Sequence, residues 1–298
     1  MAQTDKRNAS RMQLIRRVHG LVENTDIEKH RQSQDAIGAI LGNTKDIHYQ
    51  EMEIDGMYGE WVMVTRAHMK KHVILYCHGG GYSTGSSVYA RTLTSKLAMT
   101  TSMDVFCFDY RLAPEHPYPA ALNDAMKAWD HLMLLGYGAR DVIVAGDSAG
   151  GNLALVLTLR LKQQNRLLPR GLFLMSPWTD LTKSGESIIT KADIDPVLNS
   201  EYIDRMTEAY AAGEDLENPL ISPLFGDMEG FPSIYIQVGE NEILLSDSQR
   251  LHQKLVEANV SVKMDYFPGM WHVFQMSPFK TAFEAMDKNA EFIYDICR

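Results

Sequence analysis

From residue 72 onward, six short, mostly apolar runs alternate with longer amphipathic stretches. The apolar runs are 72–76, 105–108, 142–145, 172–175, 234–238 and 262–267. The helix-like stretches between and after them are 87–100, 119–135, 149–165, 244–258 and 280–296. A strand whose side chains are apolar on both of its faces must be covered on both of its faces. A mostly parallel sheet flanked by helices meets that demand, so the chain is expected to be α/β. Two earlier runs, 47–54 and 61–65, bracket the turn-like residues 55–59 and predict an antiparallel hairpin. The first 45 or so residues are polar and helix-prone. One helical face carries Leu14, Ile15, Val18, Leu21 and Val22, and a second carries Ile37, Ile40 and Leu41. Between Asp180 and Pro223 the strand–helix rhythm stops, with one helix predicted over 199–212. Such an interval reads as an insertion on the C-terminal edge of the sheet, the edge that holds ligands in open α/β folds. The 298 residues therefore predict a single domain over 1–298, with a cap formed by about 1–45 and 180–225.

Composition excludes several functions. The net charge is −9, with no basic cluster long enough to track a phosphate backbone, so nucleic acid is not an expected partner. No apolar run approaches the roughly 20 residues that span a bilayer, and stable membrane insertion is not expected. The first seven residues are polar and form no signal-peptide core. Three scattered cysteines, Cys77, Cys107 and Cys297, read as reduced thiols in a cytoplasmic chain. Neither H-E-x-x-H nor C-x-x-C spacing occurs, so no metal and no cofactor is expected.

The sharpest local feature is Gly146-Asp147-Ser148-Ala149-Gly150, set between the apolar run ending at Ala145 and the helix-like run beginning at Ala149. A serine on a strand-to-helix turn, with glycine two places to either side, has its hydroxyl pushed out above the sheet edge. A hydroxyl is a poor nucleophile until a base takes its proton, and histidine is the side chain with a suitable pKa. Of the ten histidines, His272 lies in a Gly/Pro-marked loop after the last strand candidate, on the edge that carries Ser148. An acid must then orient the imidazole and stabilise its protonated form. The segment after strand 234–238 offers Glu242, with Asp247 the alternative and Glu240 less favoured. Glu242 is preferred because it falls in the loop before the helix, whereas Asp247 falls within its first turn. His78-Gly79-Gly80-Gly81, directly after strand 72–76, has the bare backbone needed to aim N–H groups at a developing oxyanion. The N–H of Ala149 would add a further donor. This glycine run lacks both the G-K-[ST] ending of a phosphate loop and the spacing of a dinucleotide site. His78 itself reads as a structural hydrogen-bonding residue.

With those three motifs in place, the chain resembles the hormone-sensitive-lipase-like esterases of the α/β-hydrolase superfamily. Asp109-Tyr110-Arg111-Leu112-Ala113-Pro114-Glu115-His116-Pro117-Tyr118-Pro119 and Ser176-Pro177-Trp178-Thr179-Asp180 are similar to that family's wording after its fourth and sixth strands. The likeness runs from about residue 47 to the C-terminus. It implies an α/β-hydrolase fold and a serine carboxylesterase acting on short-chain acyl esters through an acyl-enzyme. It also implies Ser148 as nucleophile, His272 as base, Gly79, Gly80 and Ala149 as oxyanion donors, and Arg111, Pro114 and Glu115 as scaffold. The family's usual aspartate is replaced here by Glu242. Tyr82 and Trp178 are expected to line the substrate pocket, with a core or lid-packing role equally open to Trp178. Family members often dimerise, so a homodimer is implied, with strand 262–267 as an exposed sheet edge. An amidase or acyltransferase using the same three residues, or a ligand-binding module on a hydrolase scaffold, would share these motifs.

Overall fold

The computed structural model describes residues 10–17, 26–42, 44–68 and 70–298. Its sheet has eight strands: β1 (Ile47–Ile54), β2 (Met57–Val64), β3 (Val73–Cys77), β4 (Asp104–Phe108), β5 (Val142–Asp147), β6 (Gly171–Met175), β7 (Ser233–Gly239) and β8 (Val262–Phe267). They lie in the order β1-β2-β4-β3-β5-β6-β7-β8. The first two strands run antiparallel, and every pairing from β4 to β8 is parallel. The expected hairpin is present but tighter than the sequence suggests. Asp55 (φ 47°) and Gly56 (φ 78°) alone make the turn, so β2 starts at Met57 and not at Trp61. Two successive residues at positive φ match the twist of the flanking strands.

The helices are α1 (residues 10–17), α2 (Ile27–Leu41), α3 (Ser87–Thr101), α4 (Ala120–Leu134), α5 (Ala149–Gln163), α6 (Ser187–Thr190), α7 (Ser200–Ala211), α8 (Leu245–Glu257) and α9 (Lys280–Cys297). Successive residues of each central strand point to opposite faces, and each face has its own core. Val73, Leu75, Val142, Val144, Leu172, Leu174, Ile234 and Ile236 pack with α4, α5 and α8. Ile74, Tyr76, Ile143, Ala145, Phe173, Met175 and Tyr235 pack with α3 and α9. This double burial is why the strands read as unbroken apolar runs rather than alternating ones. Cys77 and Cys107 are buried within it as free thiols.

The segment between β6 and β7 carries α6 and α7 and lies across the C-terminal edge of the sheet. It is fastened there by Tyr210, fully buried in α7, whose ring stacks on Tyr82 at 3.7 Å and 3°. The N-terminal helices reach the same edge. Met12 and Ile15 of α1 pack on the cluster of Phe267, Met270, Trp271 and Phe274. Arg31 of α2 donates to the carbonyls of Ser83 and Ala113 and pairs with Glu115 at 2.8 Å. Of the predicted N-terminal apolar face, Val18, Leu21 and Val22 lie outside the described residues. No described helix is long and apolar enough to cross a membrane.

Candidate active site

Because β3, β5, β6, β7 and β8 are parallel, their C-terminal ends open onto one edge, and each contributes a loop to a single site. Ser148 follows β5 directly. Its backbone sits at φ 53°, ψ −120°, a region that costs a non-glycine residue about 1–3 kcal/mol. The flanking chain holds it there: Ser148 N–H donates to the Met175 carbonyl at 2.9 Å, and its own carbonyl accepts from Trp178 N–H at 3.1 Å. The two glycines of the motif are demanded by close packing of backbone on backbone. A Cβ on Gly146 would come within 2.3 Å of the Gly150 carbonyl oxygen, and one on Gly150 within 2.0 Å of the Cys77 carbonyl oxygen.

His272, five residues beyond β8, is buried, and its Nε2 stands 2.9 Å from Ser148 Oγ. Its Nδ1 faces Glu242 Oε2 at 3.5 Å. That is an ion-pair separation, longer than a made hydrogen bond, of the kind that tightens when substrate is bound. Burial pushes the imidazole pKa down, but the nearby Glu242 carboxylate, with Asp195 and Asp147 behind it, outweighs burial and raises it above its ordinary value. Asp247, the alternative acid, is elsewhere: its carboxylate accepts from Thr179 N–H at 2.7 Å and Asp180 N–H at 2.9 Å, pinning the chain after β6 to α8. Burial lifts it to about 7. Glu240 accepts from Gly269 N–H at 2.7 Å.

Three groups that sequence reasoning passed over complete this arrangement. Ser176, directly after β6 at φ 48°, donates from Oγ to Glu242 Oε2 at 2.8 Å and accepts from Val273 N–H at 3.2 Å. It therefore ties the acid to the loop of the base. Asp147, the variable residue of the serine motif, is buried and accepts from Tyr76 Oη at 2.6 Å and from Gly79 N–H at 3.0 Å. Asp195, from the β6–β7 segment, accepts from Ile243 N–H, next to Glu242, at 2.9 Å. Each partnership joins residues far apart in the chain, so no local spacing announces it.

The glycine loop requires one correction. Gly79 N–H is spent on Asp147, and a Cβ there would lie 2.2 Å from Asp147 Oδ2, so Gly79 is not available to an oxyanion. Gly80 and Gly81, at φ 114° and 62°, line the cavity beside Ser148. Their N–H groups and that of Ala149 meet no acceptor among the described residues. His78 is structural, as expected: it is fully buried, stacked on Tyr110 at 4.1 Å, and bonded through Nδ1 to the Gly79 carbonyl at 2.8 Å. Burial pushes its pKa down to about 4. Arg111 grips Asp124 with both sides of its guanidinium and stays away from the site.

The cavity over Ser148 has a volume of about 170 Å³. Its floor is Gly80, Gly81, Ser148 and His272. Its walls include Trp178 and Trp271 from the sheet loops, Val197, Leu198, Tyr202, Ile203 and Met206 from the β6–β7 segment, and Ile15, His30 and Gln34 from the N-terminal helices. Trp178 is nearly fully buried with one side on the cavity, whereas Tyr82 does not line it. Tyr82 is fully buried behind the glycine loop, where it stacks on Tyr210 and donates to Asn152 Oδ1 at 2.7 Å. A large ring at φ 61° directly after three glycines turns into the core, not toward the cavity.

A family described as having the alpha/beta hydrolase fold matches residues 74–276. An esterase of Acinetobacter venetianus is 38% identical over 262 residues, covering 87% of this chain and 86% of that protein. An acetyl-hydrolase of Streptomyces hygroscopicus is 35% identical over 84% of this chain and 83% of its own length. A crystal structure of an esterase from the bacterial hormone-sensitive lipase family superimposes with a TM-score of 0.91 at 31% identity, covering 96% of this chain and 97% of that one. The chain belongs to the hormone-sensitive-lipase-like esterases of the α/β-hydrolase superfamily. This esterase is a carboxylic ester hydrolase whose substrates are small-molecule esters. Its fold is that of its family: a mostly parallel sheet with helices on both faces. Among its described residues no group of histidine, cysteine and carboxylate side chains is placed to hold a metal ion.

Proposed function

We propose that Ser148, His272 and Glu242 are the catalytic residues and that hydrolysis proceeds through an acyl-enzyme on Ser148. The observation that carries this reading is the 2.9 Å contact of His272 Nε2 with Ser148 Oγ at the floor of the cavity. Ser148 Oγ attacks the ester carbonyl carbon as its proton passes to His272 Nε2. The carbonyl oxygen becomes an oxyanion, held by the N–H groups of Gly80, Gly81 and Ala149. Preorganised donors of this kind are worth roughly 3–4 kcal/mol each at the transition state. Collapse of the tetrahedral adduct breaks the bond to the alcohol oxygen, which leaves with the proton from His272. Water then gives a proton to His272 and attacks the acyl carbon, and the carboxylic acid departs as Ser148 regains its hydrogen. Glu242 carries the charge that balances the imidazolium in both halves.

The acyl group is short. A buried cavity of roughly 150 Å³ holds a benzene ring, so the 170 Å³ over Ser148 suits an acyl chain of a few carbons. The cap consists of the N-terminal helices and the β6–β7 segment, a division supported by the walls they supply to the cavity. The edge strand β8, with Tyr266 exposed on it, supports pairing with a second copy, and three free thiols support a cytoplasmic location. Reaction with an organophosphonate, followed by mapping of the labelled residue, tests the nucleophile and its activation together. Label on Ser148, and neither label nor turnover in a folded Ser148→Ala variant, is the expected outcome. Turnover in that variant removes Ser148 from the role. Rates on p-nitrophenyl esters should fall as the acyl chain lengthens, and a maximum on long chains would refute the short-chain reading.

A further inference from the structure

The residue after the acid, Ile243, is fully buried, and both of its backbone polar groups are held by the segment between β6 and β7. Its N–H donates to Asp195 Oδ2 at 2.9 Å, and its carbonyl accepts from Ser187 Oγ at 2.6 Å. Ser187 is locked in turn to Ser246 at the start of α8, through Ser246 N–H to Ser187 Oγ at 2.8 Å and Ser187 N–H to Ser246 Oγ at 2.9 Å. The other oxygen of Asp195 accepts from Val197 N–H at 2.8 Å and Leu198 N–H at 3.0 Å. Those are two of the residues that wall the cavity. On its far side, the guanidinium of Arg16 in α1 donates to the carbonyls of Asp193, Ile194 and Asp195 at 2.7, 3.0 and 3.2 Å. One buried carboxylate thus joins the cavity wall to the peptide that follows Glu242, and Arg16 of the N-terminal helix holds the backbone of the turn that carries it.

We propose that Asp195 is a positioning residue, by which the segment covering the cavity sets the distance between Glu242 and His272. This rests on the reading of Glu242 as the acid. The three-residue loop between Gly239 and Ile243 is held on one side by Ser176 on the Glu242 carboxylate and by the carbonyls of Phe267 and Met270, and on the other by Asp195 and Ser187 on the Ile243 peptide, while Glu242 Oε1 has no hydrogen-bond partner among the described residues. Asp195 also acts through space. The charged groups facing His272 are Glu242 from the β7 loop, Asp195 from the β6–β7 segment and Asp147 from the end of β5. Burial pushes the Asp195 carboxyl up to about 6, so it is an anion above that pH, and removing that charge there destabilises the imidazolium. Because His272 accepts a proton only when neutral, the acid limb of the rate profile must then move to lower pH. Loss of packing alone leaves that limb where it is.

The test compares Asp195→Asn, Ser187→Ala and Glu242→Gln with the unaltered chain in kcat and KM for p-nitrophenyl acetate across pH 5–9, each checked for folding by circular dichroism. Asp195→Asn should lower kcat roughly ten- to hundredfold, change KM by less than about threefold, and displace the acid limb downward. Ser187→Ala keeps the Asp195 charge and should lower kcat while displacing the limb less than Asp195→Asn does. A folded Asp195→Asn with unaltered kcat and limb overturns the proposal. If that variant does not fold, unaltered kcat in Ser187→Ala overturns it instead. Full activity in Glu242→Gln would mean that the assignment of the acid itself has failed, an outcome that neither Asp195 nor Ser187 variants can mimic.

Discussion

Replacing Ser176 with alanine removes one oxygen that holds two loops together. Its hydroxyl donates to Glu242 Oε2 at 2.8 Å and accepts from Val273 N–H at 3.2 Å, all within the buried interior. A hydrogen bond to a charged group contributes about 1.5–3 kcal/mol. At about 1.4 kcal/mol per tenfold in rate, the Ser176→Ala enzyme should lose roughly 10- to 150-fold in kcat/KM if the bond is fully expressed at the transition state. The Val273 N–H is left buried without an acceptor, at a further cost of about 1–3 kcal/mol in stability. The melting temperature should therefore fall by several degrees. The Cβ remains, so the strain of φ 48° is unchanged and the difference reports the hydroxyl alone. Ser176→Gly separates the two effects: it relieves the positive φ, so it should melt no lower than the alanine variant while staying equally slow. Kinetics on p-nitrophenyl butyrate with a parallel thermal melt provide the assay. An alanine variant that melts early but turns over at the normal rate would refute a role for Ser176 in aligning the acid.

Other outcomes follow from the same geometry. Glu242→Gln should cut kcat by about 10³–10⁴, as for loss of the acid in comparable triads, whereas Asp247→Asn should show itself mainly in a thermal melt, because Asp247 braces Thr179 and Asp180; steady-state rates that fall only in the second variant would invert the assignment. The His272 pKa is held above 6.5 and the base works only when neutral, so kcat/KM should rise with pH through an apparent pKa above 6.5 and be fully developed on the alkaline side. A pH–rate profile whose acid limb lies below 6 would contradict this. Tyr210→Ala deletes the ring stacked on Tyr82 and should destabilise the fold by about 3–5 kcal/mol, measurable by urea unfolding. An unchanged midpoint would mean that the cap is not anchored there.

The fold class was legible in the sequence because it rests on a local quantity. A strand buried on both faces is apolar at nearly every position, as β3, β6 and most of β5 and β7 are. The serine turn was legible for a similar reason: close approach of backbone to backbone admits only glycine at 146 and 150. Chain order then sufficed to pair Ser148 with His272, since parallel strands bring their C-terminal ends to one edge. What the sequence left open is whatever depends on the path of a loop after it leaves the sheet. Glu242, Glu240 and Asp247 lie within eight residues of one another and all carry carboxylates. Only the turn into α8 decides that one faces the imidazole, one the Gly269 peptide and one the chain after β6. Gly79 and Gly81 are chemically identical, yet Asp147 occupies the N–H of the first, and the second is turned toward the cavity. Tyr82 stands beside the glycine loop in sequence but packs behind it, because its partner Tyr210 comes from α7. Asp195 lies in no motif, and the motif that contains Ser176 does not announce its hydroxyl's role. They matter through hydrogen bonds to residues tens of positions away, and such bonds exist only once hydrophobic packing has fixed the distances between the loops.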